Sequence, residues 1–254
     1  MIDLSGLLGG PWLTPQWFLA SLIVFLGAIT QSVTGMAFGL VVAPVLALIA
    51  PERLPSSVLI MGVVITALGV WRDRAGLALG EVAPAVAGRA VGASLAALTL
   101  VALPGSDWIA LLIAVAVLIA VALSLGGWRA TITVRNLAIA GTASGYMATL
   151  TSIGAPPMGL LYQGEEAARA RSALNLYFLL GILISAAAVA LSGLMRWPDL
   201  MFAALLMPAL ARGYVTSKPL DRLFVGRSLK PFVIGLAIAA AIVILIRGLF
   251  RLSA

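Results

Sequence analysis

Long apolar runs recur from one end of this chain to the other, separated by short stretches that carry charged residues, proline or glycine. A run of about 17 to 25 apolar residues is long enough to cross a hydrocarbon core of about 30 Å as a helix. We therefore predict an all-α fold, a polytopic transmembrane helix bundle of about eight spans in a single transmembrane domain, 1–254. The predicted spans are 16–50, 55–71, 82–103, 108–125, 134–162, 172–193, 198–216 and 229–250.

The first and fifth of these spans are longer than one crossing needs, and each contains polar residues, glycine and proline near its middle. Thr34 in the stretch QSVTGMAFGLVVAP and Thr151 in the stretch TSIGAPP lie 117 residues apart (34 to 151), and proline follows both. We interpret this spacing as an internal duplication, with repeat one at 16–125 and repeat two at 134–251. Each repeat would hold four spans, and the first span of each would be interrupted at mid-membrane.

The relative orientation of the two repeats depends on what the chain does at these interruptions. If both interrupted segments cross the membrane, each repeat has four crossings and the two copies share one orientation. If the segments turn back instead, each repeat has an odd number of crossings and the copies are inverted. The sequence leaves both arrangements open, and its basic residues are spread too evenly between the two sides to fix the membrane orientation.

The interruptions themselves indicate a binding site. In hydrocarbon every backbone donor and acceptor needs a partner, so a broken helix is tolerated only where it is buried in protein or lines a wet cavity. The half-helix that restarts after a break presents unpaired N–H groups and the positive end of its dipole, and both favour an anion. Two such ends that face one midplane site would bind a small anion.

The candidate substrate-binding residues belong to the two breaks and to the spans beside them. They are Gln31, Ser32, Thr34, Gly35, Gly39, Arg89, Thr149, Thr151, Ser152, Gly154, Pro156 and Asn175. The hydroxyl and amide groups would donate hydrogen bonds to an anion, while the glycines and the proline would let the backbone open.

Two kinds of candidate have a competing interpretation. Glycines four residues apart, such as Gly35 and Gly39, are typical of closely packed membrane helices that bind no ligand. The same spacing recurs in two further pairs, Gly88 with Gly92 and Gly141 with Gly145. Arg89 lies within an apolar run, where a charge is costly unless it reaches the surface or a partner. Its side chain would either extend towards the Glu81 side or place a positive charge near an anion path.

The composition narrows the chemistry. Hydrophobic residues make up 62% of the chain and charged residues only 10%, which is typical of a membrane protein. Cysteine and histidine are both absent, so thiolate nucleophiles, disulfides and histidine-dependent catalysis or metal binding are excluded. We expect no catalytic residues, no metal site and no cofactor, and therefore no enzyme. The net charge of +7 arises from lysines and arginines between apolar runs, where they mark topology.

The two interrupted stretches also carry a family resemblance. Over about 16–250 the chain resembles the duplicated pattern of the TauE/SafE sulfite-exporter family. The first copy of the pattern is QSVTGMAFGLVVAPVLAL followed by SSVLIMGVVITALG, and the second is GYMATLTSIGAPPMGLLY followed by ARARSALNLYFLLG. The family's Thr-Gly-Phe-Gly-Gly run falls on 34–38, and its Thr-Gly-Ile-Gly-Gly-Pro-Pro run falls on 151–157. The departures from the family pattern are Met36, Ala37, Phe38, Ser152 and Ala155. Larger residues in place of glycine narrow the space at each break, which bears on substrate identity.

The resemblance implies a multi-pass transporter of the bacterial inner (plasma) membrane for small sulfur-containing or organic anions, such as sulfite, sulfoacetate and other sulfonates. We predict a secondary transporter that exports such an anion by alternating access around a midplane site at the repeat interface. Its partners would be a small anion (sulfite, sulfonate or carboxylate) and the lipid bilayer, with no nucleic acid. A homodimer is left open.

The acidic residues bear on how transport would be driven. All nine carboxylates lie in or beside predicted loops, which disfavours a carboxylate proton relay. An anion that leaves a cell with a negative interior gains about 2.3 kcal/mol per charge per 100 mV, so export needs no coupled ion. The alternatives are a Na⁺- or proton-coupled anion uptake permease and, less favoured, a structural or assembly membrane subunit.

Overall fold

The computed structural model describes residues 14–74, 79–102 and 131–224, together with positions 115 and 122. Its helices are α1 Pro15–Thr34, α2 Phe38–Ile49, α3 Ser56–Arg72, α4 Leu79–Ala102, α5 Val134–Thr151, α6 Ala155–Tyr162, α7 Ala167–Leu191 and α8 Trp197–Phe224, with a 3₁₀ turn at Pro51–Arg53. These described ranges contain no β-strand, so the all-α prediction is confirmed. Apart from positions 115 and 122, the predicted spans 108–125 and 229–250 lie outside the described residues.

Four of the described helices are long and apolar enough to cross a membrane. They are Pro15–Thr34, Leu79–Ala102, Ala167–Leu191 and Trp197–Lys218, and two shorter apolar helices are Phe38–Ile49 and Ser56–Arg72. A helix needs about 20 residues to cross the hydrocarbon core, because each residue adds only about 1.5 Å along the axis. The prediction of a polytopic helical membrane protein is therefore confirmed.

The first predicted interruption is a turn that reverses the chain. Helix α1 ends at Gly35, whose φ of 79° is left-handed and whose N–H caps the carbonyl of Gln31. Helix α2 then runs back along α1, so that a Cβ placed on Gly27 would lie 2.5 Å from the Val42 side chain. Range 16–50 is therefore an antiparallel helical hairpin rather than one interrupted span.

The second predicted interruption turns back in the same way. Helix α5 ends at Ser152, the one described residue other than glycine with a positive φ, and its N–H caps the carbonyl of Ala148. Helix α6 returns along α5, because Tyr162 at its end packs in one cluster with Leu137 near the start of α5. Range 134–162 is thus a second hairpin, and the turning-back arrangement is the one that the described residues adopt.

The two hairpins enter the bundle from opposite ends. The start of α1 lies beside the 3₁₀ turn that precedes α3, since Trp17 and Arg53 line one surface cavity. The start of α5 lies near the other end of α3, because Leu137 of α5 belongs to the apolar cluster that Val70 of α3 packs against. Asp73, just after α3, contacts Arg171 at the start of α7 at the same end. Helix α3 separates these two ends by about 25 Å, because it has 17 residues.

Glycines allow two pairs of parallel helices to pack backbone against backbone. On the α4–α5 interface a Cβ on Gly92 would overlap the Thr142 carbonyl oxygen, and one on Gly141 would overlap that of Ala85. Gly88 and Gly145 approach the facing helix in the same way. The packing interpretation of these small-residue pairs is confirmed. The backbones of α1 and α8 approach each other just as closely, because a Cβ on Gly213 would overlap the carbonyl oxygen of Phe25.

We expect Gly92→Ala to lower the free energy of unfolding by about 1 to 3 kcal/mol, because the new methyl group forces α4 and α5 apart. The matched control is Gly80→Ala in the same helix, where an added Cβ would meet nothing within 4 Å. That change should be neutral or stabilising by up to about 1 kcal/mol. Thermal unfolding in detergent measures both, and equal effects of the two changes would contradict the close approach.

Candidate functional site

The tips of the two hairpins meet inside the bundle. Gly39, at the start of α2, lies so close to the Ser152 carbonyl oxygen that a Cβ would overlap it. A Cβ on Gly159 of α6 would lie 3.1 Å from the sulfur of Met36 in the first break. Each half-helix therefore packs against the break of the other hairpin. A cavity of about 30 Å³ lies between the tips, α3, α4 and α7, and it has room for little more than water.

Five of the predicted binding residues line this cavity. They are Gln31, Gly39, Arg89, Ser152 and Gly154. The rest of the described wall is mostly apolar, with Phe38, Val58 and Ile182 among its residues. A mainly apolar pocket with few converging polar groups is typical of a site for a small molecule.

The two breaks have the same local hydrogen bonds. The Thr34 hydroxyl donates to the Thr30 carbonyl and accepts from the N–H of Met36. The Thr151 hydroxyl donates to the Met147 carbonyl and accepts from the N–H of Ile153. Both threonines therefore stabilise a turn. The hydrogen bonds described for their hydroxyls go to the backbone and not to side chains that line the cavity.

The tips also make equivalent contacts with the helices that follow. Gly35 lies against the backbone of Arg171 at the start of α7. The Ser152 hydroxyl donates to the Pro55 carbonyl, just before α3, at 3.2 Å. Each hairpin tip thus touches the beginning of a long helix from the other half of the chain.

A chain of amides connects the first break to an ion pair. The Gln31 side chain accepts from the N–H of Phe38, the first residue of α2, at 3.0 Å and donates to Asn175 at 3.2 Å. Asn175 in turn donates to Asp73 at 3.3 Å, and Asp73 is paired with Arg171. Because Gln31 occupies the N–H of Phe38, this donor is already satisfied.

The second half-helix offers few donors for a different reason. Pro156 and Pro157 lie in the first turn of α6, and proline has no N–H group. Ser144 donates to the Gly154 carbonyl at 2.6 Å and so satisfies an acceptor at this break. Each helix start therefore has fewer free N–H donors than expected, because Gln31 caps Phe38 in one and prolines remove donors from the other. That the two helix ends bind an anion stays a prediction.

Arg89 is the principal charged group at this cavity. Its side chain is 0% exposed, and a Cβ on Gly181 would overlap the Arg89 stem, so a glycine in α7 makes room for it. The guanidinium donates to Ser144 and Ser185 at 3.3 Å each and to Tyr177 at 3.5 Å. The ring of Tyr177 lies 5.4 Å from the guanidinium carbon, within the range of a cation–π contact.

This arginine has no acidic partner among the described residues. Glu81, the nearest acid along α4, is bonded to Tyr162 and Arg169 instead. The interpretation in which Arg89 extends towards the Glu81 side is therefore wrong. Its Nε–H also has no hydrogen-bond partner in the described structure. Hydroxyls and ring faces therefore hold this guanidinium beside the cavity without a counter-charge.

Comparison with known proteins identifies the family. The family model for the sulfite exporter TauE/SafE matches residues 20–244, which is most of the chain. The chain belongs to the TauE/SafE family. Neither a curated protein nor a solved structure matches it. The family is one of sulfite exporters, so this TauE/SafE chain is a membrane transport protein, and the predicted resemblance is confirmed.

The remaining candidate residues of this TauE/SafE chain stand one step from the cavity. Thr149 donates to Ser185, which accepts from Arg89, and Asn175 reaches the cavity through Gln31. The Ser32 hydroxyl donates back to the Ala28 carbonyl of its own helix. The others, Thr34, Gly35, Thr151 and Pro156, form the turns themselves. Whether any of the twelve binds substrate stays a prediction.

The sequence analysis missed the partners of Arg89 in the TauE/SafE chain. Tyr177, Gly181 and Ser185 are spaced four residues apart along α7, so they lie on one face of that helix. This spacing of small and hydroxyl side chains within an apolar span is the signal that could have indicated them. Ser144 lies between Gly141 and Gly145, a glycine pair whose spacing indicated helix packing rather than a polar contact.

Two carboxylates near the loops are more buried than the sequence indicates. The side chain of Asp73 is 11% exposed and pairs with Arg171, and that of Asp199 is 5% exposed and lies 3.5 Å from Arg53. Both belong to ion pairs. Within the described ranges, no group of three or more acidic residues could hold a metal ion.

We expect Gln31→Met to lower the free energy of unfolding by about 1 to 3 kcal/mol, because the buried N–H of Phe38 and the Asn175 amide lose their partner. Gln16→Met in the same helix is the matched control, since Gln16 is exposed and its loss should change little. Thermal unfolding of both variants tests this. If Gln31→Met unfolds like the control, Gln31 does not hold the first break.

Proposed function

We propose that this TauE/SafE chain is a secondary transporter that exports sulfite or a related small sulfur-containing or organic anion across the inner membrane of a bacterium. Transport takes place by alternating access around the cavity between the two hairpin tips. The substrate is held near Arg89, with Gln31, Ser152 and Gly154 forming the adjacent wall.

The observation that carries this proposal is the unpaired charge of Arg89. A guanidinium buried within a membrane bundle without a carboxylate costs several kcal/mol. Ionisable residues inside a membrane bundle are rare, and they mark functional sites such as substrate and ion pathways. An anion that enters the cavity supplies the missing counter-charge.

The arrangement of the hairpins supports the alternating-access part of the proposal. They enter from opposite ends, share one turn geometry and meet at their tips, which is the relation expected for inverted repeats. The cavity of about 30 Å³ holds little more than water in this conformation. A sulfur oxyanion therefore needs the two halves to rock apart before it can enter from either side.

The ion pairs support export without a coupled proton. Asp73 and Asp199, whose side chains are only 11% and 5% exposed, are both paired with arginines. The membrane potential alone supplies about 2.3 kcal/mol per charge per 100 mV for an anion that leaves the cell.

We expect Arg89→Met to reduce the flux of labelled sulfite from proteoliposomes by about tenfold or more, because a charge-assisted contact worth about 1.5 to 3 kcal/mol is lost. Arg89→Lys should keep part of the flux, since it keeps the charge. Arg135→Gln is the matched control, because Arg135 is exposed at the start of α5.

The stability of Arg89→Met separates a transport role from a structural one. Ser144 keeps its bond to Gly154, and Ser185 keeps its bond from Thr149, when the arginine is removed. We therefore expect the melting temperature to stay the same or rise, since a buried unpaired charge is removed. Wild-type flux in this variant, or a large loss of stability, would contradict the proposal.

We further expect Thr34→Val and Thr151→Val each to impair flux, because valine cannot make the two hydrogen bonds that hold either turn. Thr34→Ser and Thr151→Ser keep the hydroxyl and should retain most of the flux. Membrane expression should stay intact in all four variants, which fluorescence-detected size exclusion measures. Equal flux in the valine and serine variants would show that the turns have no part in transport.

A further inference from the structure

We infer that the cavity beside Arg89 accepts an anion with a single negative charge and rejects an anion of the same shape with two. This inference rests on the proposed function and adds the charge class of the substrate. It follows from the charges that face the cavity and from the groups that do not.

Arg89 is the one charged side chain among the described residues that line the cavity. The other charged side chains near the cavity belong to ion pairs, since Asp73 is paired with both Arg171 and Arg72, and Arg169 is paired with Glu81. None of these five is among the described residues that line the cavity. The polar lining groups Gln31, Thr66 and Ser152 carry no net charge. The described lining therefore holds one positive charge, that of Arg89.

The two helix ends at the cavity have fewer N–H donors than an ordinary helix start. At the start of α2, the N–H of Phe38 is bonded to Gln31. At the start of α6, Pro156 and Pro157 have no N–H to donate. The dipole of each short helix acts mainly through such terminal donors, so the loss of these donors weakens the attraction of both ends for an anion.

Because the cavity wall is mostly apolar, binding depends on the net charge that the anion and Arg89 have together. One negative charge next to Arg89 forms a neutral pair in a site whose wall is mostly apolar, with Phe38, Val58 and Ile182 among the residues. A second negative charge would be buried without a partner, and burial of an unpaired charge in such surroundings is strongly unfavourable. The apolar wall also suits a small apolar substituent on the anion.

The chemical consequence is a choice among sulfur oxyanions. Bisulfite and simple alkyl sulfonates carry one charge, so they fit the site. Doubly charged anions, such as sulfate and a sulfonate with a second carboxylate, do not fit. Sulfite itself exchanges a proton near neutral pH, so a test of charge needs anions whose charge is fixed.

Methanesulfonate and sulfate form such a pair, because both have a tetrahedral sulfur and similar size but carry one and two charges. The experiment measures efflux of radiolabelled sulfite from proteoliposomes of the full chain at zero membrane potential, with either anion as an unlabelled competitor at matched ionic strength. We expect methanesulfonate to inhibit at concentrations at least tenfold lower than sulfate. Arg89→Met vesicles provide the background.

The outcomes separate the two proposals. Stronger inhibition by methanesulfonate supports the inference. Equal inhibition by the two anions, stronger inhibition by sulfate, or sulfite flux that neither anion inhibits would overturn it, while transport of sulfite would stand. The absence of sulfite flux above the Arg89→Met background would overturn the proposed function and this inference together.

Discussion

A helix that ends inside hydrocarbon leaves its last carbonyls and the first N–H groups of the next helix without water, so the protein itself must satisfy them. Both breaks of this chain meet that constraint with local side chains. A left-handed residue closes each first helix, Gly35 in one hairpin and Ser152 in the other. The threonine before each of them donates a hydrogen bond to the preceding helix and accepts one from an N–H of the turn. Gln31 accepts from the N–H of Phe38, and Ser144 donates to the Gly154 carbonyl. With these partners in place, the chain can reverse in the middle of the bundle.

The same hydrogen bonds decide which groups remain for a ligand. Because the N–H of Phe38 is bonded and prolines lie in the first turn of α6, both helix ends have fewer N–H groups left for a ligand. Arg89 is different, since hydroxyls and aromatic rings hold its guanidinium in place without neutralising it. The groups that hold the turns are thus separate from the charged group beside the cavity. The turns maintain the shape of the cavity, and one buried positive charge lies in its wall.

Close backbone contact joins these parts. Gly39 lets the first half-helix touch the second break, and Gly181 leaves space for the stem of Arg89. Glycines on α4 and α5 bring Ser144 within reach of that arginine. Small residues therefore serve the site indirectly, by allowing helices from both halves of the chain to approach until their polar groups meet. Rocking of one hairpin against the other would change all of these contacts at once.

The sequence by itself determined the all-α membrane class, the positions of both breaks and the TauE/SafE family, because apolar run length and the placement of glycine and proline are local properties. It also indicated Gln31, Arg89 and Ser152 as polar exceptions in apolar spans. Only the tertiary structure decided that the chain turns back at each break, that Gln31 pairs with Asn175, 144 positions away, and that hydroxyls from α5 and α7 surround Arg89. The physical reason is that these outcomes depend on which helix faces pack together, and many packings satisfy the same hydrophobic pattern.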